Sequence, residues 1–194
     1  MSSNKNDKLK VLIEIPEGSR VKYELNEETG ELFIDRFMPT MMGYPMNYGL
    51  IEETAGEDGD ALDALVFASG PISPGTYIYC KIIGVLEMED EAGIDHKIAM
   101  VPATTKIDPI CGAWSSLDDI PEARKAQIKH FFEHYKDLEK DKWVKLNGWS
   151  DVAKANKILA AGQERFLKEM AADLAECDCE SGCAGCQGAC AASK

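Results

Sequence analysis

Through the first half of the chain the apolar positions come in short runs with a period of two, and toward the end they change to helical spacing. Alternation predicts strands near residues 9–15, 21–25, 32–37, 48–52, 62–67, 77–87 and 97–102. Residues 26–31, Asn-Glu-Glu-Thr-Gly-Glu, form the connection of a hairpin, and the Pro and Gly at 70–75 mark a loop. From Pro121 to Lys136 the residues Ile128, Phe131, Phe132 and Tyr135 recur at helical spacing behind a proline that suits a helix start. A second helix is expected from Asp151 to Ala175, with Val152, Ala155, Ile158, Leu159, Phe166 and Met170 on one stripe. The reading is α+β and mainly β, with strands first and two helices last.

Charges interrupt this pattern where an apolar strand would not want them. In Val21-Lys22-Tyr23-Glu24-Leu25, Lys22 and Glu24 share one face. After the turn at Gly93, Asp95 and Lys97 again share a face. Glu14 and Arg36 sit inside apolar runs as well, and charges so embedded are costly unless they line a common polar cavity. The densest point is Asp58-Gly-Asp60-Ala-Leu-Asp63, three carboxylates in six residues beside a glycine that allows a tight bend. Hard oxygen ligands at that density suit Mg2+ or Mn2+. An EF-hand fails on spacing: with Asp58 as position one, position six is Asp63 and position twelve is Ser69.

Of the 194 residues, 45% are hydrophobic and 28% charged, ordinary for one globular domain. The net charge of −13 argues against nucleic acid or an anionic membrane as partner. No apolar run reaches membrane-spanning length and the start is polar, so a cytoplasmic location is expected. No Walker loop or Gly-x-Gly-x-x-Gly run precedes a helix.

Beyond the acidic knot, Ile13-Glu14-Ile-Pro16, Lys22-Tyr-Glu24, Asp35-Arg36-Phe37, Tyr44-Pro-Met-Asn-Tyr48-Gly49, Asp90-Glu91-Ala-Gly-Ile-Asp95-His-Lys97 and His130-Phe-Phe-Glu-His-Tyr135-Lys136 follow in order. From about Lys8 to about Phe166 this series resembles the soluble family I inorganic pyrophosphatases of bacterial type. One departure is Ala61, where the family has Pro or Glu; all three carboxylates remain, but the proline restraint on φ is lost. The resemblance implies a small OB-like closed β-barrel flanked by the two helices, a homohexamer of two stacked trimers, pyrophosphate as substrate, and several Mg2+ ions, with Mn2+ or Zn2+ as possible substitutes.

It also implies roles. Asp58, Asp63 and Asp95 would hold the activating metals, Asp63 bridging two of them. Asp90 and Asp95 would help carry ions that arrive with substrate, and Glu14 and Glu24 would lie in the same ion shell. Lys22, Arg36, Lys97, Tyr135 and Lys136 would bind the two phosphoryl groups, with Tyr48 near the nucleophile and Asp60 as the base for the attacking water. Seven acids against four bases leave such a site near −3. With pyrophosphate that becomes about −7, which roughly three or four divalent ions neutralise. Tyr44 is read as mostly a supporting residue, Glu91 as a turn residue and Asp35 as a surface neighbour of Arg36.

Two features stand outside this set. His130-Phe-Phe-Glu133-His134 fits an inverted zinc-peptidase pattern, but the only other histidine is His96, and the alternative is a subunit contact. Five of the seven cysteines fall between Cys177 and Cys190. The expected organisation is a domain over 1–175 and a Cys-rich tail over 176–194, which lacks the apolar residues to form a core and is expected to be disordered unless crosslinked. Its thiolates suit Zn2+ or Cu+, which leaves a divalent-metal-binding module with a soft-metal tail as the alternative function.

Overall fold

Alternating strands of this kind have one stable outcome, a sheet with apolar side chains toward a core, and the computed structural model, which describes residues 8–26 and 29–177, has it. Strand β1 (Leu9–Ile15) pairs antiparallel with β4 (Asn47–Ile51) and with β6 (Thr76–Asp90). Strand β4 pairs antiparallel with β5 (Asp63–Val66), and β5 runs parallel to β8 (Lys97–Pro102). Strand β8 then pairs antiparallel with β6, so the hydrogen-bonded path β1-β4-β5-β8-β6 returns to its start. The short β7 (Gly93–Ile94) and β9 (Val144–Ser150) add to the far end of β6. A separate hairpin is made of β2 (Val21–Asn26) and β3 (Glu31–Phe37).

Each face of the main sheet has its own core. Along β8, Ala99 and Val101 pack in one cluster while Ile98 and Met100 pack in the other, and Leu65 of β5 likewise opposes Ala64 and Val66. Helix α1 (Glu122–His134) covers the first cluster with Ile128, Phe131 and Phe132. Helix α2 (Val152–Cys177) covers the second with Ala155 and Leu159. Two bonds tie α2 to the acidic loop before β5: Ala55 N–H donates to the Gly162 carbonyl at 3.0 Å, and Arg165 Nε donates to the Ala55 carbonyl at 2.9 Å. Among the described residues no helix is long and apolar enough to cross a membrane.

The ladders are interrupted at charged positions. Ile13 faces Gly49 and Ile15 faces Tyr48, leaving Glu14 as the extra residue of a β-bulge. In the hairpin Lys22 faces Arg36 and Tyr23 faces Ile34, leaving Asp35 unpaired. Gly49 is required beside the first bulge, since a Cβ there would lie 2.0 Å from the Leu12 carbonyl oxygen.

Several boundaries differ from the pattern-based expectation. Strand β6 is fifteen residues long, because its middle is covered on both faces and stays apolar without alternating. Strand β9 was not anticipated. A bulge at Asn147 spaces its packed residues Val144, Leu146 and Trp149 by two and then three, which breaks the period. Pro121 is the N-cap of α1 rather than its first residue. The apolar stripe of α2 ends at Phe166, and Met170 is 47% exposed. The tail from residue 178 onward lies outside the described residues.

This packing gives a contrast along one helix. Leu159→Ala should destabilise the protein by about 2–5 kcal/mol, as a truncation in a closed core does. Met170→Ala should change stability by less than about 0.5 kcal/mol. Urea denaturation of both variants checks this; equal losses would mean that the far half of α2 is packed after all.

Candidate active site

Between the hairpin, the edge of the first core and the end of α1 lies a cleft of about 670 Å³, and all thirteen residues singled out from the sequence line it. The bulge in β1 contributes Glu14; β2 contributes Lys22 and Glu24; β3 contributes Arg36. Tyr48 comes from β4, Asp58 and Asp60 from the loop before β5, and Asp63 from the first position of β5. Asp90 ends β6, Asp95 lies in the turn after β7, and Lys97 opens β8. Tyr135 and Lys136 follow α1 directly. The loop bends at Gly59, whose φ of +95° is a conformation that favours glycine.

The charges are arranged as pairs. Lys97, only 3% exposed, donates to both Asp63 and Asp95. Lys136 Nζ donates to Asp90 Oδ2 at 2.7 Å and to Glu91 Oε1 at 3.2 Å. Lys22 donates to Glu24 and lies 3.6 Å from Asp35, while Arg36 Nε is 3.2 Å from that same Asp35 carboxylate. An aromatic wall backs them: Tyr44 packs edge-on against Tyr48 at 5.4 Å, and Tyr135 stacks on Phe131 at the same centroid distance. Tyr44 is therefore a packing residue, as expected, whereas Asp35 and Glu91 are charge partners of the cleft's own cations.

Position sets protonation. Burial, then the Asp63 charge, raises the Glu14 carboxyl against the pull of a backbone hydrogen bond from Leu25 N–H at 3.0 Å, and brings its pKa to about 7. Burial and the neighbouring Asp58 carboxylate push Asp60 up. Asp95 is raised by burial, with Lys97 opposing. Burial works against the Lys97 charge, but Asp63 and Asp95 outweigh it and raise its pKa. Tyr48 and Tyr135 are held neutral, chiefly by burial. At Glu91 burial is overcome by Lys142 and Lys136, which bring its pKa down to about 2.

Glu57, Glu139 and Lys142 also line the cleft and were not anticipated. Glu139 approaches Arg36 Nη1 at 3.4 Å, and Lys142 donates to Glu91. Both lie in the charged segment after α1, where nothing in the spacing separates a cleft residue from a solvated one. The histidines of α1 are exposed and stand apart from the cleft, their rings 4.5 Å apart, with His134 Nδ1 2.9 Å from Asp137. Among the described residues no three His, Cys, Asp or Glu side chains form a ready-made metal cage. Ammonium groups stand between the carboxylates instead. The donors are nevertheless all hard oxygens, which fits a divalent cation of the Mg2+ class.

A family model described as inorganic pyrophosphatase matches residues 11–167. An inorganic pyrophosphatase of Rickettsia bellii is 51% identical over 164 residues, covering 84% of this chain and 93% of the relative. One from Aquifex pyrophilus is 46% identical over 165 residues, covering 85% and 93%. Among solved structures, the inorganic pyrophosphatase of Helicobacter pylori superposes with a TM-score of 0.81 at 41% identity, covering 86% of this chain and 98% of that one.

The Glu14 environment has a measurable consequence in metal-free protein. A carboxyl raised from 4.5 to about 7 destabilises the fold progressively as pH rises through that window, by about 3 kcal/mol once it is ionised in both states. Glu14→Gln in chelated protein should therefore be more stable than the parent at pH 8 and equal to it near pH 4. Thermal melts across that range test this, and a variant less stable at pH 8 would refute it.

Proposed function

The chain belongs to the inorganic pyrophosphatase family, and we propose that the paired acids and bases of this cleft are where it hydrolyses pyrophosphate to two phosphates. The observation that carries the reading is convergence: nine carboxylates and five cations, among them all seven acids and four bases expected, come from scattered strands, loops and a helix end to line one cavity. Elsewhere such charges would be solvated singly.

The family uses a divalent metal, and we take Mg2+ as the ion here. Asp58, Asp63, Asp90 and Asp95, with Glu14 and Glu24 beside them, are the residues to hold it. When bound, such ions would supply charge neutralisation for the phosphoryl oxygens and a more acidic attacking water. The protein's own residues do the rest. Asp60, whose carboxyl is pushed up by burial and by Asp58, is the group to accept a proton from the attacking water. Tyr48 keeps its proton and can donate a hydrogen bond beside the nucleophile. Arg36, reached from the protein side by Asp35 and Glu139, presents a planar fork that suits a phosphoryl group. Lys22, Lys97, Tyr135 and Lys136 complete the grip on the two phosphoryl groups. The returning strand path supports an OB-like closed barrel, and the net charge of −13 supports a cytoplasmic enzyme.

Phosphate release from pyrophosphate should require Mg2+ and should be poor with ATP, because the cleft grips both ends of a small anion. Asp60→Asn should lower turnover by roughly 10²- to 10⁴-fold with Mg2+ affinity largely kept, while Asp63→Asn should weaken Mg2+ binding itself. Purified protein without Mg2+-dependent hydrolysis would overturn the reading. Equal loss of Mg2+ affinity in both variants, by titration calorimetry, would overturn the division of roles.

The exposed His130 and His134 face of α1 is our choice for a subunit contact in a homohexamer. Light scattering at micromolar concentration should give six chains, and a monomer would refute it.

A further inference from the structure

Both backbone groups of a single residue tie the acidic loop to helix α2. Ala55, 1% exposed, donates its N–H to the Gly162 carbonyl at 3.0 Å and accepts Arg165 Nε on its own carbonyl at 2.9 Å. At the other end of the loop Leu62 packs against the same glycine. A Cβ on Gly162 would lie 2.6 Å from Leu62 Cδ1 and 3.2 Å from the Ala55 carbonyl oxygen. Glycine is a poor residue for a helix interior, and here it lets the helix touch both ends of the loop at once. Thr54 adds a tie between those ends, since its hydroxyl donates to the Ile51 carbonyl at 2.6 Å and accepts the Leu62 N–H at 3.0 Å.

The six residues between Ala55 and Leu62 need such a hold. Glu57, Asp58, Gly59 and Asp60 are exposed, so the tip has no core of its own. Two of the six are glycines, and Ala61 places no ring restraint on φ. Internal bonds shape the tip without fixing it to the sheet: Gly56 N–H donates to the Asp60 carbonyl at 2.6 Å, and Asp60 N–H to Asp58 Oδ1 at 3.2 Å. An exposed loop of this kind opens at little free-energy cost. Helix α2 is the fixed reference, because Ala155 and Leu159, two turns and one turn before Gly162, are fully buried in the second core.

We propose that Gly162 and Arg165 are positioning residues, holding the loop in the form that takes up Mg2+, a role that rests on the reading of the 58–63 carboxylates as cation ligands. Each acts through Ala55 or Leu62. A loop that is competent for only part of the time binds its ion more weakly by that fraction. The hold therefore shows in metal affinity, ahead of any chemistry in the cleft.

The test compares the parent with Arg165→Ala, Gly162→Ala and Leu167→Ala, each as the full chain. Amide hydrogen exchange over residues 52–63 is followed in metal-free protein, and Mg2+ affinity by titration calorimetry. Arg165→Ala and Gly162→Ala should both quicken exchange at the Ala55 amide and through the loop. Both should weaken Mg2+ binding roughly 2- to 10-fold, as losing one hydrogen bond from a marginal loop does. The Mg2+ concentration for half-maximal hydrolysis should rise by the same factor. Gly162→Ala improves helix propensity, so its loss of affinity could not come from a weaker helix. Leu167, 65% exposed on the same helix, is the control, and its change to Ala should leave both readouts at the parent's values. Arg165→Ala only removes atoms and keeps the test open if the added methyl of Gly162→Ala blocks folding. Unchanged exchange in Arg165→Ala would overturn the hold, and faster exchange with parental Mg2+ affinity would make it structural only and overturn the positioning role. A parent that binds no Mg2+ would instead overturn the reading of the cleft, and the proposal with it.

Discussion

The ammonium of Lys97, buried between the Asp63 and Asp95 carboxylates, is the contact on which both the sheet and the cleft depend. A lone ammonium at that depth would be expelled or neutralised, and removing one partner of such a group commonly costs about 3–5 kcal/mol because the other is left uncompensated. The pairing is possible because β5 and β8 run parallel, with Ala64 opposite Ile98, so that Asp63 and Lys97 open neighbouring strands at the same level. Leu65, Ala99 and Val101 continue inward on that face as pure hydrocarbon. The polar site thus begins where the first core ends, and one residue of register slip would drive charge into the core and apolar side chains into the cleft.

Irregularity elsewhere serves the same end. The ladders on either side of β1 and β2 are regular until Glu14 and Asp35, and at each of these one extra residue is inserted. A bulge turns a side chain out of the alternation that its neighbours obey. Glu14 is in this way buried beside the cleft with its oxygen on the Leu25 amide, although Ile13 and Ile15 on either side pack in the two different cores. The raised pKa of Glu14 follows from that placement, and so does its fitness to be ionised by an incoming cation.

The sequence was most legible where one face of a strand meets water. Lys22 and Glu24 could be assigned to one face of β2 by alternation alone, and the three aspartates of 58–63 stood out by density. What alternation could not reveal was depth. Nothing in Lys97-Ile-Ala-Met-Val distinguishes a strand buried on both faces, and the length of β6 and the bulge within β9 were hidden for related reasons, since burial on both sides and an inserted residue each abolish a period of two. Glu139 and Lys142 were illegible because their positions depend on where the chain turns after α1. The gathering of all thirteen residues in one cleft came from motif order, which carries tertiary information that local periodicity lacks.

Because every lysine of the cleft is already bonded to a carboxylate, the groups suited to cations and those suited to phosphate begin as each other's partners. Lys97 is shared by Asp63 and Asp95, Lys136 by Asp90 and Glu91, and Lys22 is held by Glu24. A divalent ion taken up by those aspartates would compete with the ammonium, and an ammonium so displaced would be free to bind an anion. Substrate that drew on Lys97 or Lys136 would in turn strip charge compensation from the aspartates and favour the cation. Neither ligand would need a moving domain to promote the other, since an exchange of partners within each pair would couple them, and linkage makes any such coupling reciprocal. On the proposed reading an acid-rich cleft could bind a tetra-anion in this way, its cations held on its own carboxylates until displaced.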